Sequence, residues 1–141
     1  MIFVDTGFFF ALASTKDPDH ERAREVFQGL QGRRLPDLLV TTNHVVFEAI
    51  TLARFRIGHA AALSMGEQLY SEQLARIHWA SPDEQRTAFE YFRRHQDQKY
   101  SAVDCLSFVV MDKLQIREAL AVDDDFTHRF IARPGPRPHK S

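Results

Sequence analysis

Four acidic residues stand inside or at the ends of apolar segments. Asp5 closes Ile2-Phe3-Val4, Glu48 interrupts Val45-Val46-Phe47-Glu48-Ala49-Ile50, and Asp104 sits in the apolar stretch 101–111. Asp123 ends Leu120-Ala121-Val122 and opens the run Asp123-Asp124-Asp125. A carboxylate in such surroundings costs folding free energy unless it is hydrogen-bonded, paired or bound to a metal. Two carboxylates ~4 Å apart repel by roughly 4 kcal/mol at an effective dielectric of 20, so a cluster of them calls for a cation or for protonation. An all-carboxylate ligand set selects Mg²⁺ or Mn²⁺ over Zn²⁺, which prefers His and Cys. His44, four residues before Glu48, and His128, three after Asp125, leave a mixed site open, but neither has a second His at metal-binding spacing. Each acid also has a plain structural reading. Asp5 could cap the next helix, Glu48 could face solvent from an amphipathic helix, and Asp104 could gain from a helix dipole.

These acids must be positioned by the elements that carry them. Strand candidates are residues 2–5, 38–42, 75–79 and 119–123, and a helical period places Ala23, Val26, Phe27 and Leu30 on one face. The order β, α, α, β, α, α, β, α, α, β, α predicts an α/β fold with a mainly parallel central sheet of about four strands, flanked by helices. Asp5 and Asp123 then lie at strand C-termini, where ligands bind in open parallel sheets. Asp17-Pro18 offers a helix start, Ser81 with Glu84 a capping box, and Asn43 and Ser101 caps for the helices carrying Glu48 and Asp104. Gly58 ends the Glu48 helix. Residues 1–132 read as one domain, and the proline-rich, weakly basic segment 133–141 as a mobile tail.

Bulk properties narrow the setting. The chain has 141 residues, twelve Phe for a core, and Cys105 as its only cysteine, which excludes an internal disulfide. It shows no signal-peptide pattern and no apolar run near the ~20 residues that span a bilayer. The expectation is a soluble cytoplasmic protein. The net charge of −1 argues against coating nucleic acid through bulk charge. If the acids converge in one cleft, however, basic groups are in excess elsewhere, with clusters at Arg33-Arg34, Arg54 and Arg56, and Arg93-Arg94-His95. An acidic metal pocket with a basic rim suits a phosphodiester substrate. The plain alternative is that these clusters are solvated helix faces.

The ordered set of Val4-Asp5-Thr6, Thr41-Thr42-Asn43-His44 before Glu48, the Ser101-to-Phe108 segment and Asp123-Asp124-Asp125-Phe126 resembles the PIN-domain nucleases. It is similar in particular to the small VapC-like ribonuclease toxins of prokaryotic toxin–antitoxin pairs. The resemblance implies a PIN-like three-layer fold and a metal-binding set of Asp5, Glu48, Asp104 and Asp123, with Asp125 as a possible fifth member. Thr6 and Ser101 match supporting hydroxyl positions. It further implies Mg²⁺- or Mn²⁺-dependent hydrolysis of RNA by water, leaving 5′-phosphate and 3′-hydroxyl ends. A cognate antitoxin that inserts an Arg-bearing segment, and a homodimer, are also implied. The apolar face of Ala60-Ala61-Ala62-Leu63 with Met65, Leu69 and Tyr70 could serve the dimer or the core equally well. Two departures stand out: Ala121 replaces a Thr or Ser common in relatives, and the proline-rich end replaces a final short strand. They support a rival reading, a non-catalytic PIN-like domain that binds RNA or protein. A receiver or Asp-nucleophile phosphatase fits poorly, since Gly7 stands where the phosphatase needs a second Asp.

Overall fold

Ile2-Phe3-Val4 and Leu39-Val40-Thr41-Thr42 are buried at every position. Strands without an exposed face form parallel sheets covered by helices on both sides, and this pattern organises the molecule. The computed structural model describes residues 1–138. Its elements run β1 (Ile2–Val4), α1 (Thr6–Ala13), α2 (His20–Gln28), α3 (Leu35–Leu38), β2 (Leu39–Thr42), α4 (Asn43–Arg56) and α5 (His59–Tyr70). There follow β3 (Arg76–His78), α6 (Pro82–Arg94), α7 (Ala102–Leu114), β4 (Glu118–Ala121) and β5 (Ile131–Pro134). All neighbouring strands pair in parallel, in the order β3-β2-β1-β4-β5. Every strand therefore ends on the same edge. The chain runs outward from β1 through β2 to β3, then returns to the other side of β1 for β4 and β5. The order reverses between β1 and β4, and such a switch point leaves a crevice outside the strand ends.

The α/β class and the strand positions agree with the sequence, and the last part of the chain differs from it. The sheet has five strands, and residues 131–134 form the final strand that the sequence reading took to be missing. No helix follows β4 directly; turns lead into β5. The outer edge of β4 would otherwise expose unpaired backbone groups, and Pro134 is tolerated because it ends an edge strand. The boundary expected after residue 132 thus falls inside β5. Beyond it, the Gly135 N–H donates to the Ala121 carbonyl at 2.9 Å. The Arg22 guanidinium donates to the carbonyls of Pro134, Gly135 and Pro136 at 3.3, 2.7 and 3.2 Å. The remaining part of the expected mobile tail, residues 139–141, lies outside the described residues.

Two caps move by a residue or two. Thr42 rather than Asn43 caps α4, accepting from the Val45 N–H, because the Asn43 side chain instead accepts from the Ala80 N–H at 2.9 Å. Helix α2 starts at His20 rather than at Pro18, since the Asp17 carboxylate folds the chain into a turn by accepting from the Asp19 N–H. Gly58, at φ +153, closes the hairpin between α4 and α5 in a conformation that L side chains rarely adopt.

The Ser81 capping box forms as expected and does more than cap. Glu84, buried in the first turn of α6, accepts from the Ser81 N–H at 2.8 Å and from Lys113 Nζ at 3.1 Å. His78 Nε2 lies 3.0 Å from both its oxygens. Burial pushes the Glu84 carboxyl up, but the Ser81, His78 and Lys113 bonds outweigh it and hold the group at about 2. One carboxylate thereby joins β3, α6 and α7. Its depressed value contributes stability that is present above the unfolded value near 4.5 and lost as pH falls towards 2. Glu84→Ala is expected to lower unfolding free energy by about 2–4 kcal/mol at pH 7. Urea titrations should show this penalty shrinking below pH 4 or so; a constant penalty would mean that the charge contributes nothing.

Candidate metal centre

Asp5 follows β1 directly, and its N–H donates to the Leu120 carbonyl at 3.0 Å, which continues the β1–β4 pairing. It occupies the N-cap position of α1, yet its side chain makes no capping hydrogen bond, so capping does not account for it. Only 4% of Asp5 and 5% of Thr6 are exposed, and Thr6 Oγ1 is buried without a hydrogen-bond partner. Glycine at position 7 matters for close approach, since a Cβ there would meet Val122 Cγ2 at 3.1 Å. The first turn of α1 can therefore press against the residue that precedes Asp123.

Asp104 enters from the other side, at the third residue of α7. Its Oδ2 accepts from the Ser101 N–H and Ser101 Oγ accepts from the Asp104 N–H, each at 3.0 Å. This capping box fixes the side chain while leaving Oδ1 without a protein partner among the described residues. Glu48 is half-buried in the second turn of α4. That helix is registered to the sheet by the Thr42 cap, and β2 is tied to the end of β1 by a Thr41 Oγ1 bond to the Val4 carbonyl at 2.8 Å. Asp123 is exposed, and one of its oxygens accepts from the Asp125 N–H at 3.2 Å. Asp125 is half-buried.

The protonation behaviour shows that these groups share one field. Asp5 lies well above the ordinary carboxylate range because of burial first, then the charges of Asp104 and Asp123, with a smaller push from Glu48. Asp104 is raised by burial against the opposing Ser101 bonds, with help from Asp123 and Glu48. Asp125 is pushed up to about 7 by burial and by Asp123 and Asp104. Among the described residues no Lys, Arg or His forms an ion pair with any of the five acids. The charges that shift them most belong to other acids, which gives no support to a site built on His44 or His128.

The donor set fits a hard divalent cation: a buried, unpaired carboxylate, a second with a free oxygen, further acids facing both, and an orphaned hydroxyl. Among the described residues, no three acidic, His or Cys side chains are already drawn to the spacing of a single-ion ligand set. Closing the acids on one cation would require their side chains to move together.

An aromatic junction beneath the acids holds their three elements together. Phe126, fully buried next to Asp125, lies 5.1 Å from Phe108, one turn after Asp104, and 6.3 Å from Phe3, two residues before Asp5. The sequence marked Phe126 only as part of a motif, and Thr41 and Gly7 carried no signal of a positioning role. Asp125 is half-buried where Asp123 is exposed, a difference that the sequence does not show.

The sign of the pH dependence follows. Asp5, Asp104 and Asp125 keep protons in the folded chain that the unfolded chain releases near pH 4, so stability falls as pH rises through this window. Melting of chelator-treated protein is expected to show a midpoint that drops between pH 5 and about 8, and Asp125→Asn should flatten the part around pH 7. A midpoint that rises over this range would contradict the shared field.

Comparison with known proteins places this arrangement. The PIN domain family matches residues 2–129. The 23S rRNA-specific endonuclease VapC20 of Mycobacterium tuberculosis is 37% identical over 127 residues, covering 90% of this chain and 92% of that protein. A VapC ribonuclease of Archaeoglobus fulgidus is 27% identical over 132 residues, or 92% of this chain and 81% of that one. The crystal structure of M. tuberculosis VapC20, described as a sarcin-ricin loop cleaving toxin, matches with a TM-score of 0.83 at 34% identity over 91% of this chain and 94% of that one. A parallel sheet that gathers acids at its C-terminal edge, together with these matches over nearly the whole chain, shows that the protein belongs to the PIN-domain family, among its VapC-like ribonucleases.

Proposed function

We propose that this chain is a metal-dependent endoribonuclease, the toxin of a toxin–antitoxin pair, which hydrolyses a phosphodiester in a structured RNA loop and leaves 5′-phosphate and 3′-hydroxyl ends. The observation that carries the reading is the buried Asp5 carboxylate. It stands at the sheet's switch point, raised by Asp104, Asp123 and Glu48, with no basic partner among the described residues. Relatives named for cleavage of 23S rRNA and of its sarcin-ricin loop support a loop of ribosomal RNA as the substrate class.

Asp5, Glu48, Asp104 and Asp123 would hold Mg²⁺ or Mn²⁺, with Asp125 close enough to share their field. When bound, such a cation supplies water activation and neutralisation of charge at the phosphate. The protein's own groups set the conditions. Asp5 and Asp104 must give up their protons before they can act as ligands. Ser101 keeps Asp104 in one rotamer through the capping box. Thr6 Oγ1, buried beside Asp5, has no hydrogen-bond partner among the described residues.

The non-catalytic reading weakens, since β5 supplies the final strand and only the Ala121 departure remains. An antitoxin would block the cleft with an Arg-bearing segment, because a guanidinium pairs bidentately with carboxylates. Self-association would use the outer side of the α4–α5 hairpin, where Phe55 is 83% and Leu63 55% exposed, while Ala62, Met65 and Leu69 belong to the core. No helix among the described residues is long and apolar enough to cross a membrane.

Asp5→Asn and Asp104→Asn are each expected to cut RNA cleavage by roughly 100-fold or more, since loss of outer-shell support alone costs 10–100-fold. Mass spectrometry of the products should find 3′-hydroxyl ends, and cyclic 2′,3′-phosphates would sink water as the nucleophile. In thermal melts, millimolar Mn²⁺ should raise the wild-type midpoint by mass action and leave Asp104→Asn nearly unmoved. Equal shifts in both proteins would place the ion elsewhere.

A further inference from the structure

Trp79 is the only tryptophan, and it directly follows β3 on the edge of the sheet where the acids gather. Its neighbours are all fastened. His78 pairs with Thr42 across β2 and β3 and contacts Glu84, the Ala80 N–H donates to Asn43, and Ser81 forms the α6 capping box. Yet the indole itself is 62% exposed, stacked on Tyr70 with ring centroids 6.5 Å apart and planes 20° from parallel. Core packing does not explain an aromatic with this exposure, and loop mobility does not explain one on a backbone held at both sides. Asn43, which fastens this segment, begins the helix that carries Glu48. One turn further along the same face of α4 is Phe47, 66% exposed and next in sequence to Glu48. Exposed aromatic surface therefore lies on the β3 and α4 side of the edge at which the acids gather.

The geometry points to Trp79, backed by Tyr70, as a stacking platform for an unpaired base of the RNA, at the β3 end of the sheet edge where the acids gather. The inference rests on the ribonuclease reading above and adds how the substrate is held. RNA loops are recognised through splayed bases stacked on aromatic side chains, and each stacked base contributes about 1–3 kcal/mol without demanding a particular sequence. A rigid backbone under an exposed indole lowers the ordering cost of that contact. A duplex would not engage such a platform, because its bases are already stacked on one another. The platform thus selects loops and unpaired segments over helices, a discrimination that the acidic site alone does not supply.

The single indole makes a direct test possible. Protein carrying Asp5→Asn, to suppress cleavage, is titrated with an end-labelled RNA hairpin loop and with the same hairpin made abasic at its unpaired positions. The intact loop is expected to quench Trp79 emission saturably and to bind about tenfold more tightly by anisotropy than the abasic one. Adding Trp79→Ala should weaken binding of the intact loop about tenfold and leave no difference between the two RNAs, whereas Trp79→Phe should stay within about threefold of the parent. Equal affinities for both hairpins with unchanged emission would overturn the platform while leaving the ribonuclease reading intact. Emission that changes with protein concentration alone, with a doubling of mass that Trp79→Ala abolishes, would instead make the patch a self-association surface and overturn it too. If no RNA raises the anisotropy of any variant, the ribonuclease reading itself fails and takes the platform with it.

Discussion

Repulsion among carboxylates at one edge of the sheet is the constraint around which the rest of the structure is arranged. Asp5, Asp104 and Asp125 are all driven above the ordinary range, each mainly by burial and then by its acidic neighbours. Such a cluster opposes folding, and only a framework stabilised elsewhere can hold it. The framework here is a parallel sheet whose two innermost early strands are buried throughout, with an aromatic junction of Phe3, Phe108 and Phe126 directly under the acids. Apolar burial of this kind opposes the charge repulsion without depending on it, because it is non-directional and scales with the area removed from water.

The two kinds of carboxylate in the molecule show the difference between holding a fold and serving a site. Glu84 is as buried as Asp5, but it meets a backbone N–H, a histidine and a lysine, and it is held at about 2. Asp5 is raised by its burial and then by the charges of other acids. Burial alone therefore does not mark a functional group. What separates the two is whether the surrounding structure supplies the opposite charge, and at Asp5 none of the described residues does. Asp104 lies between them, serving as half of a capping box through one oxygen and belonging to the acidic cluster as a whole. The structural and functional readings of that residue are both correct.

The same economy applies to the aromatic residues. Phe108 and Phe126 are buried and hold the α7 and β4 ends in place. Trp79 and Phe47 are exposed on segments fixed just as firmly by hydrogen bonds and helix packing. Along this edge the chain thus keeps rigid supports beneath a surface of mixed character, acidic at the switch point and aromatic towards β3.

Much of this was legible in the sequence because it depends on local order. Alternation of apolar runs with amphipathic periods identified the α/β class, and the acids at Asp5, Glu48, Asp104 and Asp123 stood out because each interrupts an apolar context. The Ser81 and Ser101 capping boxes were readable because they close over three residues. The last strand was not readable: Ile131-Ala132-Arg133-Pro134 has weak strand character and pairs only because β4 presents an open edge. Nor could the sequence show that Asn43 reaches across to Ala80 instead of capping its own helix, or that Asp125 is more buried than Asp123. By itself the sequence determined which residue types lie near strand ends and helix starts, since period and capping act over a few neighbours. Only the tertiary structure decided which acids share a field, how deeply each is buried and which aromatics remain exposed, because charge interactions and solvent exclusion act through space between segments up to a hundred residues or more apart.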